Sequence, residues 1–135
     1  MTPVERDELV TAACQARQQA YAKYSQYQVG AAIRTRSGKV FQGCNVENRS
    51  YGLTICAERA AVFAAVAEGH REIIAVAVAT LDGDSPCGAC RQVLAEFAAD
   101  IPVLIVADQQ PPQVREVGLQ TLLPDGFNAK QTPMG

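Results

Sequence analysis

Two stretches of the chain are almost unbroken apolar runs of strand length, IIAVAVAT at 73 to 80 and IPVLIVAD at 101 to 108. Apolar runs without polar alternation predict strands covered on both faces. Between them, CGACRQVLAEFAAD at 87 to 100 has apolar residues at helical spacing. A strand, helix, strand unit results, which predicts parallel strands joined by a right-handed crossover. Upstream, YQVGAAIRTRSGKVFQGCNVEN predicts two short strands, about 28 to 35 and 39 to 44, joined by a turn at Ser37-Gly38. The segment CAERAAVFAAVAE, 56 to 68, is rich in helix formers and stops at Gly69. A first helix opens with Thr2 as cap, Pro3 in the first turn and Glu5 as the acid of a capping box, and Leu9, Val10, Ala13, Cys14 and Ala16 form its apolar face. After Pro111-Pro112 the pattern predicts one more strand and a short helix over LQTLLP. The class is therefore α/β, with a mixed sheet of about five strands, an N-terminal hairpin, a parallel βαβ unit and helices packed on the sheet.

Composition narrows the biology. A chain of 135 residues with 48% apolar residues is the size of one domain, taken here as 1–135. Its formal net charge is -2 and it carries no run of Lys or Arg. That balance argues against nucleic acid or an anionic membrane as main partner and points to a small-molecule substrate. The opening MTPVERDELV lacks the apolar block of a secretory signal, and no apolar run approaches the roughly 18 residues of a membrane span. The expectation is a cytoplasmic protein, in which five cysteines suggest metal binding or catalysis before disulfides.

Three of those cysteines fall at equivalent places. Cys56, and Cys87 with Cys90, are each expected at a helix N-terminus, where unpaired N–H groups and the helix dipole favour thiolate over thiol. The C-x-x-C spacing of Cys87 and Cys90 lets one zinc take both sulfurs at about 2.3 Å, with Cys56 as a third ligand. The single histidine, His70, follows the helix-ending Gly69, far along the helix from Cys56, and is read as a surface residue. Cys14 and Cys44 are read as small core fillers. Three protein ligands with one position open describe a catalytic zinc site. Glu58, two residues after Cys56, is placed for proton transfer at such a site but is awkwardly offset to be a ligand. A redox pair formed by Cys87 and Cys90, or a structural zinc module that only binds partners, remain as rival readings.

Taken together, YSQYQVGAA, GCNVENRSYG, CAERAAVF and SPCGACRQV resemble the small homotetrameric zinc-dependent cytidine deaminases of the three-cysteine type, and the resemblance weakens after about residue 106. It matches the zinc deaminase signature, a glutamate two residues after the first ligand followed by P-C-x-x-C. The resemblance implies a three-layer α/β/α fold, one zinc per chain on Cys56, Cys87 and Cys90, and Glu58 as proton shuttle. It implies that Asn45 and Glu47 hold the ribose 3'-hydroxyl, that the main chain at Ala57 contacts the base, and that the Ser85 carbonyl senses the leaving amine. Tyr27 stands where the family commonly has a phenylalanine that stacks on the pyrimidine, and its hydroxyl needs a partner or water. Phe127, and in the same way Tyr51, are implied to reach a neighbouring subunit's site in a homotetramer. Because three thiolates outweigh a zinc ion's charge, a compensating cation is expected, and Arg59, one turn after Cys56, is its candidate. The implied reaction is hydrolytic deamination of cytidine and deoxycytidine in pyrimidine salvage. Deamination of another aminopyrimidine nucleoside, such as blasticidin S, is the alternative.

Overall fold

The structure, a computed structural model, describes residues 1–126. Helix α1 spans Pro3–Arg17 and begins with the expected capping box, in which Thr2 and Glu5 each accept the other's backbone N–H. Strands β1 (Gly30–Thr35) and β2 (Val40–Cys44) form the antiparallel hairpin, and a one-turn 3-10 helix at Tyr51–Leu53 leads towards α2 (Ala57–Ala67). Strand β3 (Ile73–Thr80), helix α3 (Gly88–Phe97) and strand β4 (Pro102–Ala107) make the βαβ unit, with β3 and β4 parallel. Strand β5 (Gln113–Gly118) returns antiparallel to β4, and α4 (Leu119–Leu122) follows. The sheet order is β2-β1-β3-β4-β5.

The apolar runs behave as their pattern predicts, because β3 and β4 lie inside the sheet and contribute side chains to both faces. On one face, Leu9, Val10 and Ala13 of α1 pack on Ala32, Ala75, Ala77, Ala79, Leu104 and Val106. On the other, Val62 and Ala65 of α2 and Leu94 of α3 pack on Ile33, Val76, Val78, Val103 and Ile105. Alanine on the α1 side lets that helix approach closely, while branched residues fill the deeper layer under α2 and α3. No helix among the described residues is long and apolar enough to cross a membrane.

Two boundaries differ from the sequence pattern for physical reasons. Strand β1 begins at Gly30 and not near Gln28, because the Val29 N–H donates to the side-chain Oδ1 of Asn45 at 2.9 Å. Helix α2 begins at Ala57, with Cys56 in the extended conformation of an N-cap. Its other end closes as the glycine suggested. Gly69 takes φ of 89°, and the N–H groups of Gly69 and His70 return to the carbonyls of Val66 and Ala65. Close packing positions the start of α2. A Cβ on Gly43 of β2 would lie 2.4 Å from both the Ala57 carbonyl oxygen and the Ala61 nitrogen.

Candidate active site

Cys56 caps α2 and Cys87 caps α3, both with extended backbones, and neither side chain makes a capping hydrogen bond to its helix. N-caps are usually Ser, Thr, Asp or Asn, whose side-chain oxygen bonds a free N–H of the first turn. Cysteine at both positions leaves the sulfurs available for other work. Cys90, buried in the first turn of α3, completes the group. Sγ of Cys56 lies 3.8 Å from Sγ of Cys87, which lies 3.4 Å from Sγ of Cys90, and all three are within 4.8 Å of one another. Tetrahedral ligation at a Zn–S distance of about 2.3 Å requires sulfurs about 3.8 Å apart. The donor set and its spacing therefore fit one zinc ion. Among the described residues no other group of three His, Cys, Asp or Glu donors stands close enough to share one.

The surroundings favour anionic sulfur at Cys56. The Cys56 thiol is drawn down to about 5 by the hydrogen bond from Cys90, helped by Arg59 and Cys87 and opposed by burial. The proton retained on Cys90 is held well above the usual thiol range by that same bond, by burial and by the charge of Glu58. Nη2 of Arg59 donates to Sγ of Cys56 at 3.2 Å. Glu58 is only 4% exposed, and its carboxyl is pushed up by burial and by the Cys56 charge. A carboxyl raised in this way holds a proton more readily than a solvated one, as a group that both takes and returns protons must.

Of the remaining sequence candidates, Asn45, Glu47 and Tyr27 form a second cluster. Asn45 is buried, with its Nδ2 donating to the Tyr27 carbonyl at 2.9 Å while its Oδ1 holds the Val29 N–H. Glu47 accepts from the N–H groups of Tyr24 and Ser25 at 2.9 and 3.0 Å, and from the Ser25 hydroxyl. These bonds, the Ser25 hydroxyl's first, hold its carboxyl below the ordinary range. Asn45 and Glu47 thus fold the 24–29 segment that carries Tyr27. Ala57 is fully buried at the first turn of α2, and Ser85 accepts from Arg91 Nη2 at 2.9 Å. Tyr51 is 75% exposed and meets Tyr24 edge-on at 6.1 Å between centroids. Phe127 lies outside the described residues.

Some contributors had no readable sequence signal. Arg91 donates to the carbonyls of Pro86 and Leu122 as well as to Ser85, fastening the loop ahead of Cys87. Asp84, in a segment that reads only as a loop, accepts the Tyr27 hydroxyl. Tyr27 and Asp84 lie 57 residues apart in sequence, so no local pattern reveals the pair. His70 is half-buried, packed on the Phe41 ring and bonded to Ser37, and so is less solvated than its sequence context suggests. Cys14 and Cys44 are half-buried, and burial together with Asp108 raises the Cys14 thiol to about 12.

Comparison with known proteins agrees with this geometry. Residues 3–106 match the model of the cytidine and deoxycytidylate deaminase zinc-binding region. A cytidine deaminase of Halalkalibacterium halodurans is 44% identical over 129 residues, covering 94% of this chain and 97% of that protein. The crystal structure of a cytidine deaminase from Burkholderia pseudomallei superposes with a TM-score of 0.85 at 47% identity, covering 94% of this chain and all of that one. A blasticidin-S deaminase of Bacillus cereus is 35% identical over 91 residues, which span 60% of this chain.

Proposed function

This chain belongs to the cytidine and deoxycytidylate deaminase zinc-binding family, and from that premise we propose that it hydrolyses cytidine and deoxycytidine to uridine and deoxyuridine with release of ammonia. One observation carries the reading: three sulfurs from two helix N-termini converge in a zinc-compatible group beside a buried glutamate.

A zinc ion on Cys56, Cys87 and Cys90 would supply a Lewis acid that makes water nucleophilic near neutral pH. The other tasks fall to the chain. Glu58 takes one proton of the attacking water and delivers it to the pyrimidine ring nitrogen, then takes the proton of the hydroxyl now on carbon 4 and passes it to the departing amine, so that the carbon-4 carbonyl forms as the C–N bond breaks. Arg59 offsets the excess negative charge of three thiolates through its contact with Cys56. The Tyr27 ring stacks on the base, the backbone at Ala57 contacts the base edge, and the Ser85 carbonyl accepts from the leaving amine. Asn45 and Glu47 bind the ribose 3'-hydroxyl with the capacity left over from their loop contacts, since an amide has four hydrogen-bonding positions and a carboxylate about four lone pairs.

The setting follows from the same reading: a cytoplasmic enzyme of pyrimidine salvage, folded as a single domain over 1–135 and assembled as a homotetramer. Exposure of Tyr51, Leu53 and Val46 next to the 24–29 segment supports cover by another subunit. In that assembly Tyr51 and Phe127 complete a neighbour's site.

The test is an ultraviolet assay of purified, zinc-analysed protein against cytidine, deoxycytidine, cytosine and blasticidin S. Turnover of the two cytosine nucleosides, with about one zinc per chain, is expected. Activity in zinc-free protein, or selective use of blasticidin S, would overturn the proposal.

A further inference from the structure

The Tyr27 backbone is fixed by its neighbours, but its ring is fixed by something else. Its N–H donates to Ser25 Oγ at 3.0 Å, its carbonyl accepts from Asn45, and Gln26 before it sits at φ of 61°. These contacts set where the side chain leaves the chain. They do not set its torsions. The hydroxyl does, by donating to Oδ2 of Asp84 at 2.5 Å. A phenylalanine at this position would have no such tether.

Asp84 is itself well anchored. Its N–H and that of Gly83 both donate to Oγ1 of Thr80, at 2.9 and 2.8 Å, and Thr80 is buried at the end of β3. The acceptor is therefore referenced to the central sheet. Asp84 also stands three residues before Cys87, in the loop that Arg91 fastens at Ser85 and Pro86. The tether joins the loop carrying the aromatic ring to the loop leading into the sulfur cluster.

We propose that Asp84 is a positioning residue that locks the Tyr27 ring before a pyrimidine arrives, so that the two loops form one preorganised cleft. This rests on the reading of Tyr27 as the base-stacking residue. Without the lock, ordering of a free aromatic side chain is added to the cost of binding, which weakens affinity by about three- to tenfold. Chemistry at the metal does not involve the tether, so the loss falls on KM and not on kcat. Asp84 is exposed and its backbone anchor does not use its side chain, so truncation leaves the fold intact.

The experiment compares zinc-loaded wild type, Asp84→Ala, Asp84→Asn, Tyr27→Phe and the Tyr27→Phe/Asp84→Ala double variant. KM and kcat are measured for cytidine, and Kd for uridine by equilibrium dialysis. Asp84→Ala and Tyr27→Phe should each raise KM and the uridine Kd by about three- to tenfold with little change in kcat. The double variant should be no worse than either single one. Asp84→Asn, which keeps an accepting oxygen, should recover most of the affinity. Wild-type KM and Kd in Asp84→Ala, multiplying effects in the double variant, or a fall in kcat alone would each overturn the proposal. Tyrosine ultraviolet titration reads the tether independently of turnover. The phenol missing from Tyr27→Phe should titrate above the ordinary range in wild type, through burial and the Asp84 bond, and lower in Asp84→Ala. If wild type turns over no cytidine, the proposed function fails, and this titration alone decides whether the tether exists.

Discussion

Replacing Gly43 by alanine tests how the start of α2 is placed. The new Cβ would stand 2.4 Å from the Ala57 oxygen and the Ala61 nitrogen, where ordinary contact begins at 3.4 Å. Both opposing atoms belong to helix backbone, so no side-chain rotation relieves the overlap, and α2 must move off β2 by about 1 Å. Overpacking of this kind costs about 1–3 kcal/mol, and a backbone obstacle belongs at the upper end. For a domain of this size, about 3 kcal/mol lowers the melting temperature by roughly 10 °C. The same displacement carries Cys56, Glu58 and Arg59 with it, and a misplacement of about 1 Å at reacting groups costs on the order of a hundredfold in rate. Differential scanning calorimetry at fixed zinc concentration, with zinc content and cytidine turnover measured on the same samples, reads both effects. Gly52→Ala is the control. Its Cβ would meet nothing within 4 Å, so its melting temperature should stay near wild type. A Gly43→Ala protein melting within about 2 °C of wild type would refute the claim that close packing of β2 on α2 sets the position of this helix start.

Glu58→Gln keeps the shape of the buried side chain but cannot carry the proton, so kcat for cytidine should fall by about 10²- to 10⁴-fold while zinc analysis still gives one ion per chain. A near-normal rate would remove Glu58 from the reaction. Arg59→Ala deletes the donor to Cys56 and should reduce zinc affinity or turnover by about 10- to 100-fold, measured by competition with a chelator and by the same ultraviolet assay. Unchanged values in both would show that the three thiolates need no partner. Glu47 has a carboxyl lowered from 4.5 by its bonds to Ser25 and Tyr24, so the unfolded chain binds the proton more readily than the folded one. The stability difference between wild type and Glu47→Gln should therefore be constant above pH 4.5 and shrink as pH falls through the lowered value. Melting curves from pH 7 to 3 check this, and a difference that instead shrank on raising the pH would contradict it. Thr2→Ala removes one half of the α1 capping box and should cost about 1 kcal/mol in urea unfolding, against no change if the helix end is held by tertiary packing alone.

Much of the fold was legible because its signals are local. An apolar run of strand length, a glycine after a run of helix formers and a Thr-x-x-Glu cap each act within a few residues, and the elements at 73–80, 57–67 and 3–17 follow them. The metal cluster was legible for a related reason. Two helix starts each present cysteine where an oxygen side chain is usual, and that substitution is visible without coordinates. The contacts that hold the second cluster were not legible, because they run between distant segments through side chains with no periodic pattern. Asn45 shows this most clearly. Its amide intercepts the Val29 N–H that would otherwise have extended β1, and strand propensity around Gln28 and Val29 gives no hint that a side chain will outcompete the ladder.

The two clusters are built on opposite logics, and the difference bears on function. At the helix starts, Cys56 and Cys87 forgo the side-chain cap that would have stabilised each helix by about 1 kcal/mol. At Cys56 the hydrogen bonds from Cys90 and Arg59 stabilise negative charge on sulfur, the ionic form a metal requires. In the 24–29 segment the Ser25 and Tyr27 side chains and several backbone groups are bonded to Asn45, Glu47 and Asp84. An aromatic surface held in this way need not be ordered by the ligand it meets, whereas a metal centre needs its donors unspent until the metal arrives. The sequence must therefore leave sulfurs uncommitted at one end of the cleft and over-determine a ring at the other, and Asp84 lies on the segment that connects them.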